Sequence, residues 1–525
     1  MSKNHMTRIF TCTLLLLVSL IHMNAQSQRP NILFALADDA SFPYMSAYGC
    51  QWVQSPAFDR VASEGLLFQR CYTPNAKCAP SRASILTGRN SWQLKEAGNH
   101  WNYFPPEFRT VTDSLAANGY HVGYTGKGWA PGIAETADGQ PRDPIGPRWN
   151  KRKLDPPTTG ISDNDYAGNF EDFLNDRKDG QPFFFWYGCL EPHRGYEYMS
   201  GQRVGGLKTE SIDQVPPFWP DEERVRQDLL DYAFELQHFD QHLMRMLEIL
   251  EERGELENTI VVVTADNGMP FPRVKGQAYE LSNHLPMAIS WPAGIKDPGR
   301  VVESYMSFID LTPTWLDLAG VDGEADGMKS ITGKSLRPLF ESPDAGPVRD
   351  RVLIGKERHD IGRPHDWGYP IRGIVEDDYI YMVNFEPDRW PAGNPETGYL
   401  NCDGSPTKSV ILEYRYVPGK RHFWELSFGF RPDEELYNVA RDPACMVNLV
   451  RNPAYAHIRE RMREAMMEQL RQEEDPRMEG RGHIFDEYPY ANPEYRNFHE
   501  KFLKGQIGVP SWINASDIQP VEEID

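Results

Sequence analysis

The sequence predicts an α/β fold, a doubly wound and mostly parallel sheet followed by a smaller α+β unit. Three observations predict it. Five apolar runs are hydrophobic almost continuously rather than alternately, as strands buried on both faces are. Helical patterns fall between these runs, where crossover connections belong. After about residue 345 the pattern changes to short strands and one charged helix. The chain has 525 residues, 40% of them hydrophobic, so a large core with an appendage can be buried.

Taken in order, Lys3 and Arg8 precede the apolar run Ile9–Ile21, and Ala25 offers a small residue at a cleavage point. This predicts a secretory signal over residues 1–25 and an exported protein, periplasmic or secreted. The run is too short for a stable membrane insertion. Strands are expected at Asn31–Leu36, Tyr120–Thr125, Pro182–Tyr187, Thr259–Thr264 and Leu285–Trp291. Arg82–Leu86 opens a helix, and Val111–Asn118 forms another that Gly119 ends. From about Asp221 to Arg253, apolar residues recur at spacings of three and four, and Gly254 supplies a stop. Asp344-Ala345-Gly346-Pro347 reads as a linker, which closes a large α/β domain at 26–345. Short antiparallel strands follow at Arg351–Ile354, Tyr369–Val375 and Asp378–Asn384, then a helix over about Ala456–Glu473. These make a smaller α+β subdomain at 346–480, and residues 481–525 form a tail that wraps the surface.

The net charge of −21 argues against nonspecific nucleic-acid binding, which needs a basic face. It leaves room for an anionic ligand in a locally basic cleft. Beyond the signal, Cys50, Cys71, Cys78, Cys189, Cys402 and Cys445 show no CxxC pair and no zinc spacing. A chain of this size does not need disulfides to fold.

Ligands in open α/β sheets bind beyond the carboxyl ends of the strands. The first strand runs into Asp38-Asp39, the second into Lys127, the third into Glu191-Pro192-His193-Arg194, and the fourth into Asp266-Asn267. Asp38, Asp39, Asp266 and Asn267 all offer oxygen, which suits a hard cation such as Ca²⁺ or Mg²⁺. Either pair alone is also an ordinary loop cap or turn. Two such pairs at equivalent strand ends favour the metal. Lys127, His193 and Lys275 gain interest from the same location.

Cys78-Ala79-Pro80-Ser81-Arg82, continued by Leu86-Thr87-Gly88-Arg89, resembles the signature of the formylglycine-dependent sulfatases. The segments LADD at 36–39, EPHR at 191–194, DNGMPFP at 266–272 and ELYNVARDP at 435–443 extend the likeness, which is strongest to the heparan N-sulfatase branch. The resemblance implies an alkaline-phosphatase-like fold and a sulfuric ester hydrolase. It implies that a formylglycine-generating or anaerobic sulfatase-maturating enzyme converts Cys78 to Cα-formylglycine. As a hydrate, that residue attacks sulfur through one hydroxyl and releases sulfate through the other. It further implies one Ca²⁺ per chain on Asp38, Asp39, Asp266 and Asn267, in contact with residue 78. Arg82 would hold the hydrate, Lys127 and Lys275 would neutralise the sulfate, and His193 would donate a proton to the leaving group.

The family pattern Gly-Lys-x-His departs here to Gly126-Lys127-Gly128-Trp129, and an indole is no base. His100 and His284 are the substitutes, either as base or as substrate contact. His100, Trp129, His284, Arg358 and His359 are candidate substrate-binding residues, and Arg372 and Arg389 are candidates for a neighbouring acidic group. The substrate class implied is a sulfated carbohydrate from a polysaccharide, glycosaminoglycan or algal, with the O- or N-sulfate linkage left open. Phosphodiester or phosphonate hydrolysis and an inactive glycan-binding role are the alternatives.

Overall fold

The computed structural model describes residues 29–521, so the expected signal segment lies outside the described residues. Strand β1 (Asn31–Ala37) is buried along its whole length in the interior of a seven-stranded sheet. The others are β2 (Leu66–Phe68), β3 (His121–Gly126), β4 (Phe183–Gly188), β5 (Thr259–Ala265), β6 (Met287–Ser290) and β7 (Arg300–Val302). Their spatial order is β7-β2-β6-β5-β1-β4-β3. All five expected strands are present, and β2 and β7 are additional. These two have only three residues each, below the length at which an apolar run stands out.

The pairs β5-β1, β1-β4 and β4-β3 are parallel, whereas β6 runs antiparallel to both neighbours. The chain between β5 and β6 holds only one four-residue helix, Glu280–Asn283. A parallel return needs a crossover that this connection does not make. Freed from a crossover, the connection turns back over the rim and carries Asp266 through Lys275.

Helices cover both faces. α1 (Cys78–Thr87) begins at the cysteine, four residues before the expected opening, and every one of its residues is buried. Pro80 is tolerated there because the first turn lacks intrahelical N–H partners. Gly88, in the left-handed region at φ 66°, ends it. α2 (Tyr166–Asp176) and the thirty-residue α3 (Glu223–Glu252) pack on the other face, α3 through Leu229, Tyr232, Leu236, Phe239 and Leu243.

A second sheet is antiparallel, in the order β8 (Arg351–Lys356), β9 (Ile371–Glu376), β10 (Tyr379–Asn384) and β11 (Glu434–Asn438), with α4 (Ala456–Gln472) against it. Arg372 on β9 is fully buried. Its Nε and Nη2 reach Asp475 and Glu357, both buried, at 2.7 Å each. Arg372 therefore holds this unit together and is not a substrate contact. Arg389 likewise donates to Asp486 Oδ2 at 2.9 Å and to the Gly368 carbonyl. The six described cysteines are all free. Among the described residues no helix is long and apolar enough to cross a membrane.

Replacing Arg372 with Ala leaves two buried carboxylates without their cation. We expect a loss of about 3–5 kcal/mol in urea unfolding. A midpoint unchanged from wild type would contradict the structural role.

Candidate active site at the carboxyl rim of the sheet

Register explains why the acids meet. Ala37 of β1 lies opposite Ala265 of β5, so Asp38 and Asp266 leave the sheet side by side. Asp39 adopts φ 76°, a left-handed conformation that aspartate tolerates, and its carboxylate lies close to those of Asp38 and Asp266. At the end of β3, Gly126 also has a positive φ, 75°, and a Cβ there would stand 2.0 Å from the Gly188 carbonyl oxygen. Only glycine lets β3 pass so close to β4. The next residue, Lys127, then donates its backbone N–H to Gly188 at 2.7 Å and turns its side chain inward.

α1 brings Cys78 to this point. Its Sγ lies 3.5 Å from Asp38 Oδ1 and 3.9 Å from Asp39 Oδ1. Arg82, one turn later on the same face, is fully buried. Its Nε donates to Asp266 Oδ2 at 2.7 Å, its Nη2 reaches Asp38 Oδ1 at 3.4 Å, and its Nη1 donates to the carbonyls of Lys127 and Gly128. Lys127 Nζ donates to both oxygens of Asp38 at 2.9 and 2.6 Å. Lys275 Nζ donates to Asp39 Oδ2 at 2.6 Å and to Asp403 Oδ2 at 3.1 Å.

The electrostatics show a cluster short of positive charge. Burial, reinforced by Asp38 and Asp39, outweighs Arg82 and pushes the Asp266 carboxyl up to about 7. Burial acts the same way on Asp38, but Lys127 and Arg82 outweigh it and hold that carboxyl well below its ordinary value. Burial pushes the Cys78 thiol far up, so the unmodified side chain is no thiolate.

The donors fit a hard cation. One oxygen each from Asp38, Asp39 and Asp266 and the Cys78 sulfur lie within 4.8 Å of one another, all buried. Asn267 donates through Nδ2 to Asp39 Oδ1 at 2.6 Å and to the Gly268 carbonyl, which leaves its buried Oδ1 with no partner. An unpaired buried amide oxygen beside three carboxylates is what a cation ligand looks like before the ion is counted. The four residues named from the sequence therefore converge.

The cluster opens into a cavity of about 520 Å³. His193, on the loop after β4, is a third exposed at its side chain. Its Nδ1 lies 2.6 Å from the Arg194 carbonyl and its Nε2 3.9 Å from Asp39 Oδ2. A proton on Nδ1 satisfies the carbonyl, and Nε2 is left on the side of Asp39 and the cavity. Arg194 is held separately, by both oxygens of Asp228.

The expected substrate contacts divide. His100 lines the cavity, with Nδ1 3.1 Å from Asp360 Oδ1. Its Nε2 is buried, and burial lowers the ring to about 4, so His100 is neutral. His284 is not at the cavity. It stacks between Phe42 and Tyr72, and its two ring nitrogens meet Glu280 Oε1 and the Gln69 carbonyl. Trp129 is a support instead of a contact, since its Nε1 donates to the Ala79 carbonyl in the first turn of α1. Arg358 points to the Tyr488 carbonyl, and His359 Nε2 meets Asn75 Oδ1, both away from the cavity lining. Of this loop, only Asp360 lines the cavity.

Lining groups that escaped sequence reasoning include Lys77, Asp403 and Trp512. Lys77, at the N-cap of α1, donates to Asp360 Oδ2 at 2.7 Å. Asp403 lies beyond any motif. Trp512 comes from the segment expected to wrap the surface. Lys77 adjoins the cysteine motif and was within reach of a positional argument. The other two carried no local signal.

The sulfatase family model matches residues 30–321, and the model described as N-sulphoglucosamine sulphohydrolase, C-terminal, matches residues 274–385. The chain is 28% identical to human N-sulphoglucosamine sulphohydrolase over 506 residues, covering 89% of this chain and 94% of that one. It is 25% identical to an ulvan-active sulfatase of Formosa agariphila, covering 86% and 82% respectively. Among solved structures, BT4656 in complex with its substrate D-glucosamine-2-N,6-O-disulfate superposes with a TM-score of 0.58 at 20% identity, over 85% of this chain and 99% of that one. The phosphonate monoester hydrolase of Agrobacterium radiobacter shares the fold, with a TM-score of 0.55 at 17% identity over 85% and 96%.

A cation bound at these donors stabilises the folded state. At a hundredfold excess over Kd the gain is about 2.7 kcal/mol, read as a rise in melting temperature over a chelated sample. Asn267→Ala should demand at least tenfold more Ca²⁺ for the same rise. A wild-type melting curve indifferent to Ca²⁺ and Mg²⁺ would remove the metal site.

Proposed function

The chain belongs to the sulfatase family, and from that footing we propose that it removes sulfate groups from sugars derived from sulfated polysaccharides, with residue 78 as nucleophile. The single observation that carries this is the convergence of Cys78, Asp38, Asp39, Asp266 and Asn267 with Arg82, Lys127 and Lys275 at one buried point opening into a sugar-sized cavity. Relatives acting on N-sulfated and on O-sulfated sugars both support the substrate class.

Cys78, once converted to formylglycine, would supply a hydrated aldehyde whose first hydroxyl attacks sulfur and whose second expels sulfate. Ca²⁺ on Asp38, Asp39, Asp266 and Asn267 would supply a Lewis acid and a template for the sulfate oxygens. The remaining work falls to this chain's own side chains. Lys127 and Lys275, held on Asp38 and Asp39, both line the cavity and would neutralise the charge of the sulfate during transfer. Arg82 fixes residue 78 against the strand ends. With Nδ1–H held by the Arg194 carbonyl, His193 in its doubly protonated form would give the Nε2 proton to the departing oxygen or nitrogen. Trp129 cannot take up the hydrate proton. Its bond to the Ala79 carbonyl instead anchors the first turn of α1.

The phosphonate hydrolase shares the fold alone, so phosphoryl transfer is the second possibility to test. We expect Cys78 in protein from a host with a sulfatase-maturating enzyme to appear as formylglycine in peptide mass spectra. Aryl sulfate turnover should exceed aryl phosphonate and phosphodiester turnover by at least a hundredfold. Cys78→Ala should fold and lose turnover by at least a thousandfold. Retained activity in that variant, or a preference for phosphonate, would refute the proposal.

A further inference from the structure

The cavity has a side that the sulfate chemistry leaves unused. Asp403 is only 8% exposed, yet it lines the cavity. Its Oδ2 is taken by Lys275. Its Oδ1 accepts no hydrogen bond among the described residues and is not among the atoms sealed from solvent. Burial alone would raise this carboxyl, but Lys275 and Lys77 outweigh it and keep it ionised. A buried carboxylate with one oxygen anchored and one open is an acceptor waiting for a donor.

Its position identifies the donor. A carboxylate oxygen of Asp403, a ring nitrogen of His193 and a carboxylate oxygen of Asp39 lie within 4.8 Å of one another. Lys275 Nζ already bridges the two carboxylates, so this group needs no second metal. An atom leaving under His193 therefore brings its neighbouring substituent to Asp403. Trp512 stands beside them. Its carbonyl accepts from Gly404 N–H at 2.8 Å, and its Nε1 donates to the Leu400 carbonyl at 3.1 Å. With both polar ends engaged, the half-buried indole offers carbon to the cavity. A carboxylate next to an aromatic face matches the hydroxyl edge and the C–H face of a pyranose ring.

Resting on the sulfatase assignment above, we propose that Asp403 and Trp512 recognise the sugar bearing the scissile group. Asp403 accepts a hydrogen bond from a neutral donor, a hydroxyl or an N–H, vicinal to the leaving atom, while Trp512 packs on the ring. A second sulfate or a carboxylate at that vicinal position meets a like charge and is rejected. A substrate lacking the vicinal donor leaves a buried acceptor unpaired and is rejected as well.

The test compares matured wild type, Asp403→Ala and Trp512→Ala on sulfated monosaccharides and on 4-nitrophenyl sulfate, which has no sugar donors. Glucosamine 2-N-sulfate, with only hydroxyls beside the leaving nitrogen, and 4-deoxy-N-acetylglucosamine 3-O-sulfate, with only an amide N–H beside the leaving oxygen, distinguish a hydroxyl from an N–H donor. In each variant the ratio of sugar to aryl kcat/KM should fall at least tenfold. Removing the vicinal hydroxyl from the substrate should cost wild type a similar factor and Asp403→Ala little more. Where Asp403→Ala does not fold, Asp403→Asn replaces it, with a smaller fall in the same ratio. Equal losses on both substrate classes would overturn the assignment, because Asp403 would then act only by holding Lys275. A wild type that cleaves aryl sulfate as well as every sulfated sugar would overturn it too. A wild type that turns over neither class would instead refute the sulfatase assignment on which this rests.

Discussion

The structure hinges on one guanidinium. Arg82 sits beneath Cys78, sealed from solvent, and binds the ends of β1, β5 and β3 at once. A buried cation with five donors survives only where fixed acceptors surround it. Here those acceptors are two carboxylates and two backbone carbonyls, one set from each strand. The helix that presents the cysteine and the sheet that presents the acids are thereby locked in one relative position. Lysine could not do this, since a point charge on a flexible stem cannot span three strand ends in a plane.

Around that lock three carboxylates, Asp38, Asp39 and Asp266, meet at Cys78, and burial with their mutual repulsion keeps the Asp266 carboxyl raised. A divalent cation held there would relieve that repulsion. The same ion would make the cavity more attractive to an anion. Metal occupancy and anion affinity would then be one electrostatic event.

Much of this was legible in the sequence because it lies in local patterns. β1 and β5 are unbroken apolar runs that end in acids, and the rule for open α/β sheets places those ends together. The cysteine motif then fixed the chemistry. What was not legible depends on distant contacts. Nothing near His284 announces that Phe42 and Tyr72 will enclose it. The direction of Arg358 is decided by Tyr488, far along the chain. Arg372 looks like a surface arginine until Asp475 arrives from beyond α4. Asp403 has no motif, and its meaning comes only from Lys275 and His193. The antiparallel course of β6 follows from what its connection lacks, which an apolar run cannot express.

Trp512 reaches the cavity from the far end of the described chain, whereas Cys78 and its acids belong to the large sheet. Chains emerge from synthesis with their N-terminal parts first. The reactive pocket is thus drafted early, and the wall that selects its guest is hung last. Variation in late segments can then retune which molecule is admitted without disturbing the machinery that cuts it.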